Sequence, residues 1–257
     1  VRAMAAQRLG AVDAIPVAAE PFSMWVMEDD FAGGRPAWER HGAIFSDDVP
    51  AYETLKLRYL NGSHSLIVYL GALAGCRTIP DARFTPWIER EIRALLAEYE
   101  PTFTLPAAIE GPAYIEQLMG RWSNTVLGDL CSRVGTDGST KLPQRITEPV
   151  LFYAERGQVP QRLALLVAAW LACLAPLGGF DPGPFAADMQ DPARPVLADI
   201  AARASSPRDL VQLLFFDTHI FAPALGEFTA YLDRIGEFLD LILTCGVEAA
   251  ADAADQG

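Results

Sequence analysis

No glycine-rich phosphate loop occurs anywhere in this 257-residue chain. There is no GxGxxG following a strand and no GxxxxGK[ST], so nothing in the sequence supplies a nucleotide-binding core. Gly71-Ala-Leu-Ala-Gly75 closes a helix instead of opening one and is not such a loop. Basic charge is also scarce. Twenty Lys and Arg face thirty-three Asp and Glu, a formal net charge of −13. Nucleic acid or an anionic membrane would want clustered cations to neutralise phosphates, and both are excluded as main partners. The four cysteines, Cys76, Cys131, Cys173 and Cys245, are far apart among apolar neighbours, with no CxxC pair and no zinc-type Cys/His spacing. They read as small buried hydrophobes, with no metal or disulfide role. The longest apolar run, Leu163 to Leu177, is about 15 residues, interrupted by Pro176 and too short to span a bilayer. No secretory leader pattern opens the chain, which suits a reducing cytoplasm. The chain starts at Val1 in what reads as mid-domain sequence and so has the look of a fragment.

What is present is an ample apolar fraction, 51% hydrophobic and 10% aromatic, enough for a packed core. The first forty-odd residues have short apolar runs, Val12–Val17 and Phe22–Met27, punctuated by Pro16 and Pro21 and followed by Gly-rich Phe31–Pro36. That texture predicts strands and turns. From Asp47 onward it is helical. Asp47 or Asp48 is the expected N-cap, Pro50 fits a first turn, Tyr52 to Leu73 carries no proline, and Gly75 suits the C-terminal end. Further helices are expected over Pro86–Glu98, Pro112–Met119, Val126–Arg133, Glu148–Glu155, Pro160–Leu174, Pro195–Arg203, Arg208–Phe216 and Glu227–Cys245, with a frayed end from Gly246 to Gly257.

The most informative stretch is Thr54 to Ser65. With α-helical geometry His64 lies ~80° and Asn61 ~140° from Lys56, so all three fit one side of the helix. Leu55, Leu57, Tyr59, Leu60 and Leu66 to Leu70 cover almost every other direction, and a helix apolar nearly all round is buried. Lys56 is then expected in a dry site, where a lysine exchanges protons near neutral pH. An amide such as Asn61 can hold a developing oxyanion, and His64 can position the same oxygen. Those side chains equally fit a snorkelling lysine and a satisfied core histidine. Gly62, costly in mid-helix, implies close approach of another group.

The run Lys56-Leu-Arg-Tyr-Leu-Asn-Gly-Ser-His64 resembles the KLRxLNxxH signature of the long-chain, metal-independent mannitol dehydrogenase family, which includes mannitol 2-dehydrogenase and fructuronate reductase. Upstream, Glu20-Pro-Phe-Ser-Met-Trp-Val-Met-Glu-Asp29 and Gly34-Arg-Pro-Ala-Trp-Glu39 resemble the end of that family's cofactor domain. Downstream, Asp137-Gly-Ser-Thr-Lys141 resembles its DGSxK element. The likeness is clear over residues 17 to 175. It implies a mostly α fold: a multi-helical C-terminal dehydrogenase domain, similar to that of 6-phosphogluconate dehydrogenase, over 48–257. Residues 1–47 would be an α/β remnant of the cofactor-binding domain.

The resemblance also implies roles. Lys56 is the general acid/base, Asn61 part of the oxyanion hole, and His64 a ligand to the substrate hydroxyl. Lys141 and Arg133 bind the far end of the substrate. The implied reaction interconverts a sugar alcohol and a ketose or keto-acid with NAD or NADP and no metal. A hexuronate carboxylate would favour a cationic contact from Arg133 or Lys141. Two departures stand out. Arg121-Trp-Ser-Asn-Thr125 lacks the proline usual after the asparagine. The domain that binds the cofactor is also missing, so the isolated chain is expected to be inactive. The alternative expectation is a non-catalytic helical module, or a split subunit that docks onto a separate cofactor-binding chain.

Overall fold

A computed structural model describes residues 1–17 and 19–256; Ala18, within the expected lead-in, and Gly257, at the expected frayed end, lie outside the described residues. The structure is mostly helical around one apolar centre. The helix Gln161–Leu174 supplies that centre, because every residue from Leu163 to Leu174 is buried. Its flanks are covered by the helices Ser63–Leu73 and Thr229–Cys245. A helix with no polar stripe has to be wrapped on all sides, and this one is.

The signature segment is one continuous helical rod in three parts: Val49–Leu55, a π-helical stretch Lys56–Gly62, and Ser63–Leu73. Asp48 caps it, its carboxylate accepting from the Ala51 amide at 3.2 Å, and Pro50 occupies the first turn. The π stretch is not the uniform α-helix that the spacing predicts. In i→i+5 bonding, residues five apart come roughly into line, so Lys56 and Asn61 share a face that α-geometry would have set about 140° apart. Gly62 makes the irregularity possible: a Cβ there would lie 2.5 Å from the Tyr99 hydroxyl oxygen.

Other boundaries move for local reasons. The helix expected at Glu148–Glu155 begins ten residues earlier, as Gly138–Ala154, and carries Pro143 and Pro149 inside it. The DGSxK element opens it, with Asp137 in the left-handed region (φ 60°) and Gly138 against Tyr69 and Trp170, where no side chain fits. Of the expected Val126–Arg133 helix only Cys131–Val134 is helical. Its first half is a loop whose Asp129 carbonyl accepts from the Ile79 amide at 2.9 Å. The C-terminal residues do not fray. Val247–Ala254 forms a helix and buries Val247, Ala250, Ala251 and Ala254.

The lead-in is thinner than expected. Its strands are Trp25–Met27 and Ala43–Phe45, paired in parallel, and Val12–Val17 is not a strand. Arg2–Leu9 is a helix with no buried residue. Arg35 ties the lead-in together, pairing with Asp29 and Glu39 at 2.6 Å each and stacking 3.4 Å above the Phe45 ring. Cys131 and Cys173 are buried as expected, Cys76 is half-buried, and Cys245 is exposed, on the solvent side of the last long helix. Among the described residues no helix is long and apolar enough to cross a membrane, and no group of His, Cys, Asp and Glu is placed to hold a metal ion.

Candidate active site

Two adjoining cavities flank the π stretch, sharing Leu60 and Arg121 as a partition. The larger, about 470 Å³, is a cleft between the signature helix and the strand Trp25–Met27; Lys56 and Glu53 lie on its wall beside Met24, Tyr52 and Tyr114. The smaller, about 150 Å³, lies beneath the loop 124–130 and is lined by His64, Trp122, Asn124, Asp129 and Glu20. Lys56 and His64 therefore open on opposite sides of one partition. Asn61 is half-buried and lines neither cavity.

Lys56 is exposed, which corrects the expectation of a lysine in a dry site. The apolar neighbours Leu55 and Tyr59 do turn inward and are fully buried. The π stretch, however, leaves Lys56 at the lip of the cleft. The buried cation of the signature is Arg58, 4% exposed, which pairs at 2.5 Å with Glu148 and donates to Thr102 at 3.1 Å. It faces away from the cleft and braces the signature helix against Gly138–Ala154.

His64 is held differently. Its ring packs 5.8 Å from the Trp122 ring, and burial, with Arg145 and Arg121 nearby, pushes its pKa down to about 4. The imidazole is thus uncharged at neutral pH and offers one donor and one acceptor. Arg145, on Gly138–Ala154, donates to the Ser65 hydroxyl one residue along, and burial pulls its guanidinium below the usual range.

The far-end candidates are not brought to these cavities. Arg133 is 78% exposed, with Asp129 3.9 Å away. Lys141 donates to the carbonyls of Val134 and Thr136; burial and then Arg145 pull its pKa down. The structure thus unites Lys56 and His64 across one partition and leaves Arg133 and Lys141 outside it.

Arg121 is the residue whose place the sequence did not disclose. It ends the helix Gly111–Trp122, stacks 4.1 Å over Phe22 and gives its Nε to Glu20 at 2.7 Å. It thereby ties the Glu20-Pro-Phe segment to the signature helix. The departure noted after Trp122 is a tight turn, with the Asn124 side chain accepting from the Val126 amide at 3.0 Å. The only sequence signal for this assembly was that both segments belong to recognisable motifs.

A helical domain with a cleft beside a Lys–Asn–His helix is matched by known proteins. Residues 48–242 match the family described as the mannitol dehydrogenase C-terminal domain, and the chain belongs to that family. D-mannonate oxidoreductase of Escherichia coli (strain K12) is 39% identical over 223 residues, 86% of this chain and 45% of that protein. Mannitol 2-dehydrogenase of Cereibacter sphaeroides is 35% identical over 204 residues, 77% of this chain and 41% of that protein. Among solved structures, the Pseudomonas fluorescens mannitol 2-dehydrogenase ternary complex with NAD and D-mannitol superposes with a TM-score of 0.82. It is 30% identical, and the match covers 99% of this chain and 51% of that one. The chain spans about half the length of the relatives it matches.

Proposed function

We propose that this chain carries the substrate-binding and proton-handling side of a polyol or hexuronate dehydrogenase, which interconverts a secondary alcohol and a ketose or keto-acid. The observation that carries this reading is the placing of Lys56 and His64 on adjoining cavities with a shared wall. A substrate hydroxyl in the cleft gives its proton to the Lys56 side chain as hydride leaves the same carbon. By the family motif Asn61 and His64 would hold the oxygen, which requires the Leu60–Arg121 partition to move aside when substrate binds. Arg133 and Lys141 meet the far end, Arg133 being exposed enough to swing inward.

The hydride acceptor in this reading is NAD or NADP. The described residues hold no turn that would cradle its pyrophosphate, so the group does not fit this chain alone. A cofactor-binding domain outside the described residues would supply it, with residues 1–47 as that domain's final segment and 48–257 as the substrate domain. Closing such a domain over the cleft would also dry the exposed Lys56. The reading is tested by joining the chain to a nicotinamide-binding domain and following NADH formation with D-mannitol and D-mannonate. Lys56→Met should lower kcat by about 10²–10⁴-fold. Unchanged turnover in that variant overturns the assignment.

A second reading, a non-catalytic module docking onto another chain, is favoured by the lead-in alone. Val12, Ile15, Val17 and Trp25 are exposed, and a two-stranded parallel sheet leaves its outer edges open. Docking without turnover in the joined protein would select it.

A further inference from the structure

Arg145 is a cation that the fold leaves half-used. It stands on Gly138–Ala154, half-buried against the signature helix, and only its Nη1 has a partner, the Ser65 hydroxyl. Ser65 is itself buried, and its hydroxyl lies 3.4 Å from the Asn61 carbonyl, so the guanidinium sits on the Asn61 flank of that helix. The Tyr99 hydroxyl donates to the Arg145 carbonyl at 3.2 Å and fixes the backbone at this level. Nε and Nη2 make no hydrogen bond among the described residues, and neither is among the donors sealed away from solvent. These two N–H groups form one edge of the guanidinium, the parallel fork that matches the two oxygens of a carboxylate.

No carboxylate among the described residues fills that fork. Glu148, on the same helix, pairs with Arg58 at 2.5 Å. Asp191 is already engaged, accepting from the Ser139 amide and hydroxyl and from the Ala193 amide. Lys141, one turn before Arg145 and its neighbour on the helix surface, also lacks a carboxylate and gives its Nζ to the carbonyls of Val134 and Thr136. Like charges at this spacing repel, and burial together with Arg145 holds the Lys141 ammonium below its usual range. An anion shared by the two relieves that repulsion.

We propose that the Nε–Nη2 edge of Arg145, backed by Lys141, receives the carboxylate of a sugar acid, so that the substrate is an aldonate and not a neutral polyol. The proposal rests on the dehydrogenase reading and adds the substrate class to it. Arg145 lines neither cavity; His64 feels its charge, which places it on the His64 side of the partition. A substrate with its reacting hydroxyl at Lys56 reaches it with the far end through the same movement of Leu60 and Arg121 that admits His64. Arg145 is thus a specificity-determining residue and takes no part in proton transfer.

Calorimetric titration of the full chain with D-mannonate, D-mannitol and D-mannitol 1-phosphate tests this. D-Mannonate should bind about 10–100-fold more tightly than D-mannitol, and added salt should narrow the gap. Arg145→Gln should bring D-mannonate down to the affinity of D-mannitol and leave D-mannitol unchanged; a bracing role alone would weaken both alike. Arg145→Lys keeps the charge but lacks the fork, and should recover only part of the preference. Equal affinity of the unaltered chain for D-mannonate and D-mannitol overturns the carboxylate site and leaves the dehydrogenase reading standing. Tighter binding of the phosphate ester than of D-mannonate also overturns it, in favour of a phosphate. Saturable binding of none of the three overturns both readings.

Discussion

Two clusters of ionisable groups in this molecule are built on opposite plans. At the N-terminus of the central helix Gln161–Leu174, charges close on one another. Glu91, 0% exposed, pairs with Arg90 at 3.0 Å and Arg162 at 3.1 Å; Asp255 meets both arginines and Asp252 meets Arg90. Glu98 accepts from the Arg162 and Leu163 amides at 3.0 and 2.8 Å, satisfying the first turn of the helix. Around the signature helix, the Arg58–Glu148 pair apart, the reverse holds. Lys56, Lys141 and Arg145 have no carboxylate within ion-pair distance among the described residues, and the Trp122 donor has no partner. Charges that close on each other hold helices in register. Charges and donors left short of partners cost stability and persist where a ligand completes them.

The contrast can be broken from either side. Glu91→Ala should have the largest effect, about 3 kcal/mol in urea unfolding, because it removes the fully buried carboxylate that Arg90 and Arg162 share and empties its site in the core. A loss below 1 kcal/mol would mean the closed network carries little.

Glu98 sharpens the comparison through pH. Burial pushes its carboxyl from 4.5 up to about 7. A carboxyl raised in the folded state binds its proton more tightly there, so stability falls as pH rises through that window. Relative to Glu98→Gln, the unaltered chain should lose roughly 3 kcal/mol between pH 4.5 and 7.5. Parallel stability curves for the two proteins would refute this.

On the open side, Gly62→Ala drives a Cβ into the Tyr99 hydroxyl, which donates to the Arg145 carbonyl at 3.2 Å. It should cost about 1–3 kcal/mol and shift the His64 proton signals, since the π turn has to rearrange. Arg133→Ala should be the mildest change. At 78% exposure it should alter stability by less than about 0.5 kcal/mol, while raising KM in the joined enzyme. A stability loss above 1 kcal/mol would make Arg133 a structural residue.

Particular residues mark how far the sequence could be read. The caps and prolines at Asp48-Val-Pro50 placed the start of the signature rod, and the unbroken apolar run placed the central helix. The helix Gly138–Ala154 was expected only from Glu148, with Pro149 near its start; the ten residues before it, Pro143 among them, are helical as well. A proline inside a helix is tolerated when neighbouring packing compensates, and pattern alone cannot see neighbours. Lys56 is exposed against expectation, and Arg58 is the buried cation, for a related reason. An apolar surround said that a cation would be buried, but only the π turn and the reach of Glu148 decided which one.

By itself, the sequence determined the family-like motifs, the helical character and the choice of Lys56, Asn61 and His64 as chemistry-bearing residues. The chain has only two lysines, Lys56 and Lys141, and both sit inside those motifs. Tertiary structure alone decided that Lys56 and His64 open on separate cavities, that Leu60 and Arg121, the latter anchored by Glu20 101 positions away, build the wall between them, and that the Trp122 indole N–H is left without a partner among the described residues. The physical reason is range. Periodicity and capping are set by neighbours within a turn or two. Pairing, burial and the space left for a ligand are set by segments that meet only when the chain has packed.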